Sequence, residues 1–123
     1  MKKFSFTKAS RILKRSEYIA LSRKGKKIHA HYFLAVYQTG TTHQNRLGIT
    51  VTKKVGNAVT RNLIKRYVRE FFRLNQQCLE GVWDINMIAK KQAAGTPSEE
   101  VYSDLRKLFK TINFRERTRL KNS

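Results

Sequence analysis

The stretch that most restricts the fold covers residues 53–73, where a Gly-Asn pair separates the end of a strand from an amphipathic helix expected from about 58 to 77. At roughly 100° per residue, Arg61, Asn62, Lys65, Arg66, Arg69 and Arg73 fall within an arc of about 140°, while Ile64, Tyr67, Val68 and Phe71 gather opposite. One side of such a helix must pack. The other presents closely spaced cations and suits a phosphate backbone, because each cation that meets a phosphate releases condensed counterions.

The packing partner is a sheet with one core face and one open face. Leu47, Ile49 and Val51 alternate with Gly48, Thr50 and Thr52, and Ile85, Met87 and Ala89 alternate with Asp84, Asn86, Ile88 and Lys90. Residues 31–39 read as a further strand. The loop at 40–45 predicts that it forms an antiparallel hairpin with 46–52. In that first strand both alternate sets, Tyr32, Leu34, Val36 and Phe33, Ala35, Tyr37, are plausible core.

Ser10 or Ser16 is expected to cap a first helix, Ser16 being favoured because Glu17 would then meet the helix dipole, and Gly25 stops it. Tyr18 and Leu21 share one side of that helix. The last helix starts with Thr96 as cap, Pro97 in the first helical position and Glu99 completing a capping box. Its core positions are Val101, Leu105, Leu108, Phe109 and Ile112. The order α-β-β-α-β-α predicts an α+β fold, a small mixed sheet packed against helices. One domain spans 1–114, with an irregular arm at 1–8 that Phe4 and Phe6 could pin, and 115–123 forms a mobile basic tail.

Charge narrows the partners. The chain carries 27 Lys and Arg against 8 Asp and Glu, a net charge of +19 over 123 residues. Self-repulsion of that size disfavours the compact state, so a polyanion that binds the folded form stabilises it. Nucleic acid fits best. No apolar run approaches the roughly 20 residues of a spanning helix, and the charged start, residues 1–6, lacks the apolar region of a secretory signal. A single cysteine, Cys78, cannot form an internal disulfide, and a cytoplasmic protein is expected.

The residues offer little catalysis. The eight acids are scattered, whereas two-metal hydrolysis needs carboxylates converging on cations about 4 Å apart. His29 and His31 could share one side of a strand and cleave RNA by acid–base chemistry, although no neighbouring carboxylate would orient them. His43 falls in a loop, zinc ligands are too few, and Cys78 is expected as a small buried residue near a helix end. A binder is the leading reading. Its alternatives are a ribosomal or general RNA-chaperone protein, and a protein-only nuclease working through the two histidines.

The run Lys53-Lys54-Val55-Gly56-Asn57-Ala58-Val59, followed by Arg61-Asn62, Ile64-Lys65-Arg66, Arg69-Glu70 and Phe72-Arg73, resembles the signature of the bacterial ribonuclease P protein component. Arg11-Ile12-Leu13, Ser16-Glu17-Tyr18, residues 47–51 and residues 85–90 extend the likeness over nearly the whole chain. Two positions depart from it. Leu63 stands where the family has a further Arg and is expected on the packing side, and Ser22 stands where the family has an aromatic one turn after Tyr18.

The resemblance implies a left-handed crossover in the strand-helix-strand unit, against the usual handedness, and places Tyr32, Leu34 and Val36 on the open face. It implies a subunit of a ribonucleoprotein that removes the 5′ leader of precursor tRNA, with catalysis in the RNA subunit and magnesium bound mainly through that RNA. Ribonuclease P RNA and precursor tRNA would be the partners, with no membrane and no protein partner required. By position, Lys53, Lys54, Asn57, Arg61, Asn62, Lys65, Arg66 and Arg69 would hold the catalytic RNA. Tyr18, Tyr32, Thr50, Thr52, Asn86 and Lys90 would bind the single-stranded leader.

Overall fold

A computed structural model describes residues 8–121. Apart from Lys8, the arm read from the sequence, with Phe4 and Phe6, lies outside the described residues. Helices α1 (Arg15–Lys24), α2 (Ala58–Asn75) and α3 (Ser98–Lys121) pack around strands β1 (Lys26–His29), β2 (Phe33–Thr39), β3 (Arg46–Thr50) and β4 (Trp83–Ala89). The sheet order is β1-β2-β4-β3, with β3 parallel to β4 and the other pairs antiparallel.

The expected hairpin between β2 and β3 does not form. Instead β4 lies between them, Phe33 opposite Ala89 on one side and Leu47 opposite Ile85 on the other. The loop after β2 carries the chain past the end of β4, where the Gly40 amide donates to the Val82 carbonyl at 2.8 Å. A strand buried along nearly its whole length needs neighbours on both sides, and β4 is buried at every position except Ile88. A fourth strand, β1, also forms ahead of the strand expected at 31–39, and it pairs with β2 through the reversal at 30–32.

Local signals explain the element ends. Gly25 leaves α1 in an extended conformation, its amide 2.7 Å from the Leu21 carbonyl. A Cβ there would lie 2.6 Å from the Leu21 carbonyl oxygen and 2.7 Å from Val36 Cγ1, so glycine serves close approach rather than a left-handed turn. Lys14 precedes α1 in place of either serine, and its amide donates to the Glu17 carboxylate at 3.4 Å. At the start of α3 the Pro97 carbonyl takes the first helical bonds, while the Thr96 hydroxyl donates to the Gln92 carbonyl. Thr96 therefore does not cap.

The main core lies between the sheet and α2 with α3. Phe33, Ala35, Tyr37, Ile85 and Met87 meet Ile64, Val68, Phe72, Leu105 and Ile112 there, and the Phe71 and Phe109 rings stand 5.0 Å apart. Leu34 and Val36 point to the other face, where a small cluster of Ile12, Leu21 and Val36 is joined by Tyr18, Leu34 and Ile88. This settles the alternation in β2.

Helix α3 continues seven residues beyond the expected 114. Arg117 pairs with Glu80, Arg119 with Glu116, and the Arg115 guanidinium reaches the Tyr37 hydroxyl and the Lys27 carbonyl. These partners lie far away in sequence or depend on helical spacing, which the run of charges does not show. Leu63 and Cys78 are both exposed, contrary to expectation. Leu63 is outside the apolar core that Ile64 and Val68 join, and Cys78 falls in the 3-10 turn Gln76–Cys78 after that helix.

Candidate nucleic-acid interface

The basic face is assembled at the N-terminal end of α2. The Asn57 side chain accepts the Thr60 amide at 2.9 Å and fixes where the helix begins. Ahead of it, the Val55 amide closes a turn onto the Thr52 carbonyl at 3.0 Å, and buried Val55 anchors that turn to the core. Lys53 and Lys54 therefore project as an exposed pair. The Arg61 side chain donates to the Gly56 carbonyl at 3.1 Å, which holds its guanidinium over the same turn. Asn62, Arg66 and Arg69 are exposed and Lys65 is half-buried, while Ile64 and Val68 bury the opposite side. All eight predicted catalytic-RNA residues thus lie along one helix and its entrance. Asn57 is the exception in kind, since its oxygen is engaged in capping.

The open face of the sheet is built differently. Tyr18 lies on Gly48, where a Cβ would come within 2.6 Å of the ring, and its hydroxyl donates to the Ile12 carbonyl at 3.2 Å. Burial pushes the phenol pKa up. Next along the face, the Thr50 hydroxyl donates to the Asn86 side-chain oxygen at 3.1 Å. Thr52 lies just past the end of β3 and is exposed.

Arg46 fastens α1 above this surface. Its guanidinium contacts the Glu17 carboxylate at 2.9 Å and forks onto Asp84 at 2.9 and 3.0 Å. Hydrogen bonding to Arg46 holds the Glu17 carboxyl below the usual carboxylate range, and the bonds to Asp84, with those to Glu17, push the guanidinium pKa up.

Two predicted leader residues fall elsewhere. Strand β2 begins at Phe33, so Tyr32 belongs to the reversal, where the alternation of the strand no longer applies. Buried Asp104 accepts the amides of His31 and Tyr32 at 3.0 and 2.8 Å. The Tyr32 hydroxyl donates to Glu100 at 2.9 Å, a bond that raises its pKa, and the ring packs on the α3 side of the sheet. Lys90 spends one ammonium hydrogen on the Ala30 carbonyl at 2.7 Å and is tied to the same reversal.

The basic helix and α1 meet at the β3 edge of the sheet. A hollow of about 180 Å³ opens between them, lined by Tyr18 and Ile49 on one side, Lys65 and Arg69 on the other, and Arg11 at the edge. Sequence reasoning missed Arg11. It reaches the site because the segment before α1 bridges onto the edge of β3, the Ile12 amide donating to the Leu47 carbonyl at 3.0 Å. A single bridge has no periodicity to reveal it.

Among the described residues, the histidines and carboxylates do not converge on one site. His29 ends β1 while His31 lies in the reversal with its ring against Tyr32, so they do not share a strand. Among the described residues, no three His, Cys, Asp or Glu side chains come together as a metal site. The two buried carboxylates, Asp84 and Asp104, are committed to Arg46 and to backbone amides.

Fold and surface together define a small basic α+β RNA-binding protein. The family model for Ribonuclease P matches residues 6–113. The chain is 48% identical over 112 residues to the ribonuclease P protein component of Desulforapulum autotrophicum, covering 91% of this chain and 96% of that one. It is 50% identical over 109 residues to that of Desulfosudis oleivorans, covering 89% and 90%. Among solved structures, the Staphylococcus aureus RNase P protein superposes with a TM-score of 0.79 at 32% identity, covering 85% of this chain and 95% of that one. The Thermotoga maritima RNase P protein gives 0.77 at 31%, covering 83% and 96%. The chain belongs to the ribonuclease P protein family. It is thus the protein component of an endoribonuclease that processes the 5′ ends of tRNA, with catalysis carried by the RNA.

Proposed function

We propose that the exposed side of α2 docks the catalytic RNA, while the concavity under α1 receives the single-stranded leader of precursor tRNA. The observation that carries this reading is the shared hollow, in which an aromatic ring, Tyr18, faces two helix cations, Lys65 and Arg69. Single-stranded RNA is held by stacking of bases on aromatic faces and by cations that follow the backbone. The leader-binding set becomes Tyr18, Thr50, Thr52 and Asn86 with Arg11 added; Tyr32 and Lys90 leave it.

Among the described residues, the side chains do not fit a protein-borne magnesium site, because the carboxylates are dispersed or already paired. Magnesium is instead held through the RNA, and the lysines and arginines of this chain reduce the phosphate repulsion that the folded RNA must overcome. No helix among the described residues is long and apolar enough to cross a membrane. A role on precursor tRNA supports a cytoplasmic protein.

Salt dependence tests the docking face. Arg61→Ala and Lys65→Ala should each weaken binding to ribonuclease P RNA and reduce the slope of log affinity against log salt by about 0.7 to 0.9. An unchanged slope in both variants would remove α2 from the RNA contact.

A further inference from the structure

A second cationic concavity lies at the opposite edge of the sheet, beside β1. It is a hollow of about 160 Å³ with Tyr37 and Trp83 among its walls. Lys24 and Lys26 form one rim and Arg115 and Arg119 the other. Glu116 is the lone carboxylate among its lining residues and is hydrogen-bonded to Arg119 at 2.7 Å. Four cations against one acid leave a strongly positive pocket.

The fold builds this pocket deliberately in two places. Gly25 lets the chain leave α1 and enter β1 without an intervening loop, which sets Lys24 and Lys26 on either side of one residue. On the other rim, α3 runs past Ile112, its last buried residue, so that Arg115 lands on β1 and β2 through the Lys27 carbonyl and the Tyr37 hydroxyl. Neither feature serves the face described above. Strand β1 is one edge of the sheet and β3, beside α2, is the other. Three inter-strand steps of about 4.8 Å separate them, roughly 14 Å.

The geometry points to a second RNA site, in which the pocket beside β1 holds phosphodiester groups of an RNA segment distinct from the one docked on α2. The hollow is smaller than the 300 Å³ or so typical of small-molecule sites, and its charge suits a phosphate on a strand rather than a whole nucleotide. The protein would then touch RNA at both edges of its sheet and hold two segments at a fixed separation. This inference rests on the reading of α2 as the first contact.

The test uses the full chain with ribonuclease P RNA. Lys24→Ala with Lys26→Ala removes two exposed side chains outside the core, and an unchanged unfolding midpoint will show that the fold survives. The pair should reduce the salt slope by about 1.4 to 1.8, and combining it with Arg61→Ala and Lys65→Ala should add the two losses. Trp83 is the only tryptophan in the chain, so RNA should also change its emission in the wild type and leave it unchanged in the Lys24/Lys26 variant.

If the slope falls for the α2 pair but not for the Lys24/Lys26 pair, the second site is overturned. It is equally overturned if inorganic phosphate alters Trp83 emission while the slope stays fixed, which would mark a small-anion site. The reverse pattern, loss from Lys24/Lys26 alone, overturns the α2 reading and with it the two-segment arrangement, leaving the pocket beside β1 as the RNA contact.

Discussion

The two faces of the sheet solve the same packing problem to different degrees. On one, α2 and α3 cover Phe33, Ala35, Tyr37, Ile85 and Met87, all at 1% exposure or less. On the other, the ten residues of α1 lie over a floor of Gly48, Thr50 and Asn86, where Tyr18 covers Gly48, Asn86 is buried and Thr50 stays partly exposed. A closed face stabilises the fold. An incompletely covered face with small and polar residues stays available to a ligand, and its one helix is fastened by a charge network rather than by a large apolar contact. The comparison teaches that the stability and the recognition of this protein sit on opposite sides of a single layer, so they should separate under mutation.

The largest separation is expected from Phe33→Ala, which hollows out the closed face. It should cost about 3 to 5 kcal/mol, read from denaturant unfolding, and RNA contacts should be lost only in proportion to the unfolded fraction. A fully folded variant with impaired leader binding would break the distinction between the faces.

Tyr18→Ala acts on the other side. It should weaken binding of leader-bearing precursor by about 1 to 3 kcal/mol and leave mature tRNA almost unaffected. Equal losses for the two ligands would remove Tyr18 from the leader site.

The smallest effect sharpens the comparison by loosening α1. Glu17 has a depressed carboxyl pKa in the folded protein, so its contribution is present above the unfolded carboxylate pKa of about 4.3 and is lost as pH falls through the lower folded value. Glu17→Gln should cost about 0.5 to 1 kcal/mol near pH 7. The gap between wild type and variant should close once the pH drops below the folded pKa, in unfolding curves recorded at both pH values. A gap that persists in acid would mean that Arg46 does not act through the Glu17 charge.

What the sequence made legible follows from how local each signal is. The core sets of β3 and β4, the stripe on α2 and the core positions of α3 are periodic within one element, and the structure keeps them. Asp84 and Asn86, expected on the open face, are instead buried against Arg46 and Thr50, partners from another strand. Strand neighbours are not a local property. The β2–β3 hairpin was the simplest pairing for strands adjacent in the chain, yet β4, arriving after α2, takes the place between them. Tyr32 differs for a related reason: the resemblance carries it to the open face with Leu34 and Val36, whereas Asp104, 72 residues away, fixes a reversal there. For the site, the α2 residues were readable from one helical face, whereas Arg11 joins it only through a tertiary bridge to Leu47.

The most direct test of the account is a pair of photo-crosslinks in the assembled holoenzyme with precursor tRNA. With Cys78→Ser in the background, a photoreactive group is attached through Thr50→Cys on the open face or through Arg66→Cys on α2. The account predicts that the label at position 50 captures the leader and the label at position 66 captures the RNA subunit. Capture of the RNA subunit from both positions, or of the leader from position 66 alone, would contradict the division of labour between the two surfaces.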